Sequence, residues 1–451
     1  MRLRKSRHKA APTIALLLAF SVTGWTKPNI VFIMADDLGY GDLGCYGHET
    51  NETPRIDALA AGGLRFTDFH SSGPMCTPTR AATLTGLYQQ RFGEKFDAAI
   101  SGVRDYKSGL PLEAVTIAER LKEVGYATGC FGKWHLGYTP AFFPTKQGFD
   151  EFVGLGSGDG DFFTHVDRSG RKDWWRNETP LEEEGYTTDL LTEHSVRFIE
   201  DHRDKPFFLY VPHLAIHFPW QGPEDPPHRI PEKDYADDKW GVIPDRSNVY
   251  PHVKAMIESL DESVGKIVTA LKRLGLVENT MIVFTSDNGG YLHYGGGFEN
   301  ISSNGPLRGQ KTNVYEGGHR VPTIVSWRGR IDPGTTTQLG HSTDWFPTFL
   351  EVGGIEPATG ETDGVDLGPL LFNGESLPER DLYWRIRDKY AVRSGPWKLA
   401  NQQGKLELYN LDDDLGERKD LSQLMPERVE VLKKAWDQWN AEMNRSAEVY
   451  R

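Results

Sequence analysis

Four apolar runs of strand length each stop abruptly at charged or amide side chains, and this pattern leaves the chain few folds. Residues 29–35 (NIVFIMA) are followed by Asp36-Asp37, and residues 127–131 by Gly132-Lys133-Trp134-His135. Residues 206–211 lead into a segment holding His213 and His217, and residues 281–285 into Ser286-Asp287-Asn288. Such runs are expected to be covered on both faces. Helical spacing fills the intervals: Val115, Ile117, Ala118 and Leu121 within 113–124, closed by Gly125, then 190–201 and 253–274. A shorter helix is expected over 53–61, and a further strand over 321–327. Buried strands alternating with helices predict an α/β fold with a mainly parallel central sheet. Ligands of open α/β sheets bind beyond the C-terminal ends of the strands. The polar residues that follow these runs are therefore expected to converge.

The last part of the chain has a different pattern. Residues 383–386, 390–399 and 405–411 alternate polar with apolar and are separated by turn residues, which predicts an antiparallel meander. A helix follows Pro426, with Val429, Leu432, Trp436, Trp439 and Met443 on one face. The expected organisation is a leader over 1–26, a main domain over 27–367 and a small C-terminal antiparallel α+β subdomain over 368–451. No internal repeat is visible.

The leader reading rests on Arg2, Arg4, Lys5, Arg7 and Lys9 before the apolar run 14–20, then small residues at Ser21, Thr23 and Gly24. That run is too short to span a bilayer. Export to the periplasm or beyond is expected, without stable membrane insertion. The net charge of −13 gives no general attraction for nucleic acid. An anionic substrate therefore needs a local cationic pocket. Three cysteines do not make a disulfide framework, and whether Cys45 and Cys130 pair is left open.

Cys76 stands in a special context, Cys76-Thr77-Pro78-Thr79-Arg80. Thr77 suits an N-cap and Pro78 a first helical turn, which puts residue 76 just before a helix N-terminus with Arg80 one turn on. By itself this reads as an acidified cysteine nucleophile or as a cysteine that packs at a helix start. The pattern Cys-x-Pro-x-Arg, followed by Thr85-Gly86, resembles the signature of the type I sulfatases of the alkaline phosphatase superfamily. Thr83-Leu84 departs from the two bulky apolar residues usual before Thr-Gly.

The resemblance implies an alkaline phosphatase-like sandwich and a cysteine oxidised to formylglycine by a maturation enzyme that reads Pro78 and Arg80. Asp36, Asp37, Asp287 and Asn288 are hard oxygen donors, suited to Ca²⁺ or Mg²⁺ rather than zinc. By the resemblance they hold one calcium ion, with the oxygen at residue 76 completing the shell. Lys133 and His135 match the residues that hold the formylglycine diol. His217, rather than the structural His213, matches the family histidine, and Lys311 the lysine on the sulfate and leaving oxygen. One diol hydroxyl then attacks sulfur, His217 or Lys311 protonates the leaving oxygen, and His135 takes the proton that lets the aldehyde re-form. Ca²⁺, Arg80, Lys133 and Lys311 would neutralise the sulfate oxygens.

The implied substrate is a sulfated carbohydrate, a galactose or N-acetylgalactosamine unit of a polysaccharide. Asp161, His165 and Arg320 are candidate substrate residues. Trp174-Trp175 reads either as a sugar-stacking platform or as core, and residues 154–160, rich in glycine, as a mobile loop near the substrate. Three other readings stand beside this one: a phosphonate or phosphate monoester hydrolase on the same fold, an inactive glycan-binding homologue, and a thiol enzyme using unmodified Cys76.

Overall fold

The computed structural model describes residues 27–450. The expected leader, 1–26, lies outside the described residues. Among those described, no helix is long and apolar enough to cross a membrane.

The centre is a ten-stranded sheet. Its middle comprises β1 (Asn29–Ala35), β2 (Leu64–Phe66), β3 (Ala127–Lys133), β4 (Glu151–Leu155), β5 (Phe207–Pro212), β6 (Thr280–Ser286) and β7 (Thr323–Ser326). The spatial order is β2-β7-β6-β1-β5-β3-β4, with Gly334–Thr336 beyond β2 and two short strands beyond β4. β1 pairs in parallel with β6 and β5, β5 with β3, and β3 with β4. β7 runs antiparallel to both its neighbours, so the sheet is mainly and not wholly parallel.

Period-two alternation sorts β1 between two cores. Val31, Ile33 and Ala35 face one layer, where α1 (Pro54–Ala61), α4 (Thr187–Asp201) and α5 (Tyr250–Arg273) pack. Ile30, Phe32 and Met34 face the other, with Trp345, Phe349 and helix α2 (Cys76–Thr85). Phe32 lies 5.5 Å from the Tyr210 ring and 5.4 Å from Phe349. Each large apolar side chain buried this way contributes roughly 1.5–3 kcal/mol. The helix α5 buries Val253, Ile257, Leu260, Val264, Ile267 and Leu271, one face at three- and four-residue spacing.

The helices expected at 190 and 253 each begin three residues earlier, at Thr187 and Tyr250, and two other helix starts differ for reasons of capping. The third helix, α3 (Ile117–Glu123), begins four residues later than 113 because Thr116 and Glu119 form a reciprocal capping box. That cap leaves Val115 outside the helix and exposed. The N-cap of α2 is Met75, not Thr77, so Cys76 is already the first helical residue. The Thr77 hydroxyl is spent elsewhere: it donates to the His135 carbonyl at 3.0 Å and accepts from Ile100 N at 3.2 Å.

The C-terminal strands β8 (Asp381–Ile386), β9 (Lys389–Ser394), β10 (Trp397–Asn401) and β11 (Leu406–Asn410) form the expected antiparallel meander. The last long helix, Pro426–Ser446, covers it through Leu432, Trp436, Trp439 and Met443. The meander is bolted to the main sheet by buried charge. Lys398 donates to Glu316 at 2.9 Å and is ion-paired with Glu417 at 2.9 Å, and Arg393 pairs with Asp68 at 2.7 Å.

Candidate active site

Strand ends bring the polar residues together. Beyond β1, Asp36 N donates to Ala215 O at 2.8 Å and Ile216 N donates to Asp36 O at 2.6 Å, which fastens the loop after β5 against the end of β1. Asp37 turns the chain with a φ of 63°, a left-handed conformation that a non-glycine residue adopts only when its surroundings enforce it. Its N–H donates to Asp287 Oδ1 at 3.2 Å, joining the ends of β1 and β6. The carboxylates of Asp36, Asp37 and Asp287 and the Cys76 sulfur offer atoms all within 4.8 Å of one another.

Asn288 Nδ2 donates to Asp37 Oδ1 at 2.8 Å, while its own Oδ1 is buried without any partner. An unsatisfied buried carbonyl beside three carboxylates is what a hard cation requires. The donor set therefore fits a divalent metal held by Asp36, Asp37, Asp287 and Asn288.

Cys76 Sγ sits in the middle of this group, 3.3 Å from Asp36 Oδ1, 3.4 Å from Lys133 Nζ and 3.3 Å from Lys311 Nζ. Lys133 is ion-paired with Asp36 and Lys311 with Asp37. Arg80 is fully buried and donates through Nε and a terminal nitrogen to Asp287 Oδ2 at 3.1 and 2.9 Å. Three carboxylates thus face three cations. A divalent ion makes the site net positive, as an anionic ester needs.

The electrostatics follow from burial. Burial pushes the Asp36 carboxyl up to about 7, reinforced by Asp287 and opposed by Lys133. Burial also opposes ionisation of Asp287, but Arg80, Lys133 and Lys311 outweigh it and hold that carboxyl below its ordinary value. Burial, Asp287 and Asp36 push the Cys76 thiol well up. Burial disfavours the charged form of Lys311, but Asp37, Cys76, Tyr291 and Asp36 together outweigh it, so Lys311 stays cationic.

Two histidines flank the sulfur. Burial, then Lys133, lowers His135 far below its usual value, so it is neutral. Its Nε2 lies 3.1 Å from Ile100 O and carries the proton, leaving a buried Nδ1 with no partner. His217, also neutral through burial and the two lysines, donates from Nδ1 to Phe218 O at 2.7 Å. Its Nε2 lies 3.9 Å from Asp37 Oδ2. A Cβ on Gly158 would come within 2.3 Å of the His135 ring, which explains a glycine in the 154–160 stretch.

These side chains open into a cleft of about 260 Å³ lined by Cys76, His135, His217 and Lys311. Sequence reasoning missed four arginines on its wall, Arg104, Arg168, Arg171 and Arg387, and the rings of Tyr138 and Tyr291. The only signal for the wall was the glycine-rich stretch, which places Ser157, Gly158 and Asp159 there.

The three candidate substrate residues do not reach this cleft. Asp161 is a loop staple: its carboxylate accepts from the backbone of Phe163, Thr164, His228 and Arg229. His165 stacks on Trp174 at 4.3 Å, with both buried, so Trp174 is core and not a platform. Arg320 pairs with Asp68 and Glu316 and lines a separate cavity beside the meander. His213 is structural, 3.2 Å from Ser263 on α5. Cys45 and Cys130 are both free and belong to opposite faces of the sheet.

The sulfatase family model matches residues 28–355. The chain belongs to the sulfatase family. This sulfatase is 36% identical to human arylsulfatase A over 427 residues, covering 86% of this chain and 78% of that protein. It is 34% identical to mouse N-acetylgalactosamine-6-sulfatase over 417 residues, covering 85% and 75%. Among solved structures, Ps i-CgsB in complex with k-i-k-neocarrahexaose superposes with a TM-score of 0.80 at 31% identity, over 92% of this chain and 93% of that one. A phosphonate monoester hydrolase of Agrobacterium radiobacter shares the fold, with a TM-score of 0.62 at 20% identity over 92% and 96%. The sulfatase is accordingly a sulfuric ester hydrolase of alkaline phosphatase-like fold.

Proposed function

We propose that this sulfatase removes sulfate from a sulfated carbohydrate, using residue 76 as formylglycine beside one bound calcium ion. The observation that carries the reading is the position of the residue 76 side chain, in contact with Asp36, Lys133 and Lys311 at the N-terminus of α2. In the encoded chain, Cys76 Sγ stands in for the oxygen of the oxidised side chain. That side chain, hydrated, supplies a hydroxyl nucleophile whose partner hydroxyl allows sulfate to leave again. Calcium, when bound, supplies positive charge at the sulfate oxygens and favours ionisation of the attacking hydroxyl.

The chain's own residues do the rest. Arg80 holds Asp287 toward the metal position and adds charge behind the sulfate. Lys133 and Lys311 approach the nucleophile from two sides. Lys311, kept protonated by Asp37, is the proton donor to the leaving oxygen, since neutral His217 has no proton on the nitrogen nearest Asp37. His135 accepts a proton at its unpartnered Nδ1, while the Nε2 hydrogen bond to Ile100 fixes its ring.

Every residue from Cys76 to Thr85 is buried. Oxidation of Cys76 by a formylglycine-generating enzyme must therefore precede folding. Relatives named for arylsulfate and N-acetylgalactosamine-6-sulfate, and a neighbour holding a neocarrahexaose, support a sulfated saccharide as the substrate. The leader-like segment 1–26 supports export.

The test is mass spectrometry of the peptide containing residue 76 from active protein. Formylglycine lowers its mass by about 18 Da and adds an aldehyde reactive to hydrazides. An unmodified cysteine in protein that turns over and is inactivated by iodoacetamide would replace this reading with a thiol enzyme.

A further inference from the structure

The wall of the cleft carries more positive charge than a single sulfate needs. Arg168 donates through Nε to Asp159 at 3.0 and 3.1 Å, and Asp159 is held from behind by fully buried Arg229 at 3.0 Å. Arg171 pairs with Asp167 at 3.2 Å and donates to Gly102 O at 3.0 Å. Both are thereby fixed and partly neutralised. Arg104 and Arg387 differ: they line the same cleft, are exposed, and have no ion pair or hydrogen bond among the described residues. Four arginines face two aspartates on this wall, in a chain whose overall charge is −13.

The two unpaired arginines come from distant parts of the chain and are brought together by specific ties. Arg385 on β8 donates to Asp97 at 2.9–3.1 Å, which ties the meander to the segment leading into Arg104. Lys389 donates to Thr312 O at 3.2 Å, beside Lys311. Between these ties lies the β8–β9 turn, with Arg387 at its tip and a φ of 57°. Hairpin turns favour glycine or asparagine at a left-handed position, so an arginine there carries a local conformational cost.

We infer that Arg104 and Arg387 bind a second anionic group of the substrate, a sulfate or a carboxylate, held on the sugar next to the scissile sulfate. The preferred substrate is then a multiply charged saccharide, and the C-terminal meander takes part in choosing it. The cleft, about 260 Å³, lies just below the range of roughly 300–1,000 Å³ that encloses drug-sized ligands, so it seats one sulfated sugar and leaves the neighbouring anion at the arginine rim. This inference rests on the carbohydrate-sulfate reading above.

The experiment uses nitrophenyl sulfate hydrolysis by the mature full chain as the reporter. Competing ligands are a galactose monosulfate, a galactose disulfate and a galactose monosulfate linked to a uronate. Inhibition constants are measured for the parent, Arg104→Gln, Arg387→Gly and the double variant. Charge-assisted contacts at an exposed rim correspond to roughly threefold to tenfold in binding each. The two-anion ligands should inhibit the parent about tenfold better than the monosulfate, and the double variant should lose that preference. Added salt should erode it as well. Preference for the disulfate alone identifies the second anion as sulfate, and preference for the uronate conjugate alone as carboxylate. Arg387→Gly also relieves the left-handed backbone, so a lost preference with an unchanged or higher melting temperature is not a folding defect. Equal inhibition by all three ligands, or a preference that survives in the double variant, overturns the inference while the carbohydrate reading stands. Reporter turnover with no inhibition by any saccharide overturns both.

Discussion

Replacing Asp287 by Asn removes one charge from the centre of the site and almost no volume. Arg80, with no solvent exposure, then faces its former partner as a neutral amide. Stripping one member from a buried ion pair costs about 3–5 kcal/mol, most of it the stranded charge. The neighbourhood sets where in that range the cost falls. Asp36 lies 3.9 Å from Arg80, and part of what pushes its carboxyl up is Asp287 itself. Removing Asp287 lets Asp36 ionise more readily and take over part of the pairing, so the lower end, about 3 kcal/mol, applies. With an unfolding entropy of about 2.1 cal/mol/K per residue over roughly 420 residues, that is a melting temperature about 3 °C lower, and about 6 °C lower at the upper end. The assay is scanning calorimetry of parent and Asp287→Asn in chelator, so that metal binding does not enter, then again with calcium. The variant should melt lower in chelator and gain little on calcium addition. A variant within about 1 °C of the parent in chelator would refute the claim that Asp287 carries the Arg80 charge.

Four more outcomes are expected. Calcium at a hundredfold excess over its dissociation constant should stabilise the parent by about 2.7 kcal/mol and restore activity lost to chelation, read by thermal melts and turnover. Loss of activity in chelator with no shift in melting would place the ion elsewhere. His135→Gln should lower steady-state turnover about a hundredfold or more while permitting an initial burst of product, seen by rapid-quench kinetics, because the accepting Nδ1 is gone. His165, buried against Trp174, has its value lowered by burial to about 4 in the fold, against an ordinary value of 6.5. Its contribution is therefore complete above pH 6.5 and is lost as pH falls from 6.5 toward 4, and His165→Phe should flatten urea-unfolding stability across that window. Lys398→Met should loosen the meander, since buried Glu417 then loses its cation and Glu316 keeps only Arg320, and hydrogen exchange over β8–β11 should rise.

Much of the fold was legible in the chain because its determinants are local and periodic. Apolar runs such as 29–35 and 281–285 mark strands buried on both faces, and the charged residues after them mark the sheet edge that meets solvent or ligand. Helix starts were less legible where a cap competes with periodicity. The Thr116 cap started the helix of 113–124 late, at Ile117, and the Thr77 hydroxyl went to His135 instead of capping α2.

At the site the division is sharper. Sequence by itself determined the chemistry available at each strand end: carboxylates after β1 and β6, a lysine and a histidine around the end of β3, and a cysteine two residues before a proline that suits a first helical turn. Tertiary structure alone decided which of many similar residues do the work. Asp161 and Asp287 are both buried carboxylates, yet backbone N–H groups surround the first and Arg80 the second. Arg387 was invisible because its hairpin lies more than 300 residues from Cys76 in the chain, and only the docking of the meander on the loops around Asp97 and Thr312 carries it to the cleft. Backbone propensity and hydrophobic period act over a few residues, and they say where a strand ends. Convergence in space is set by strand order and by the paths of loops, which depend on long-range contacts that no local window contains.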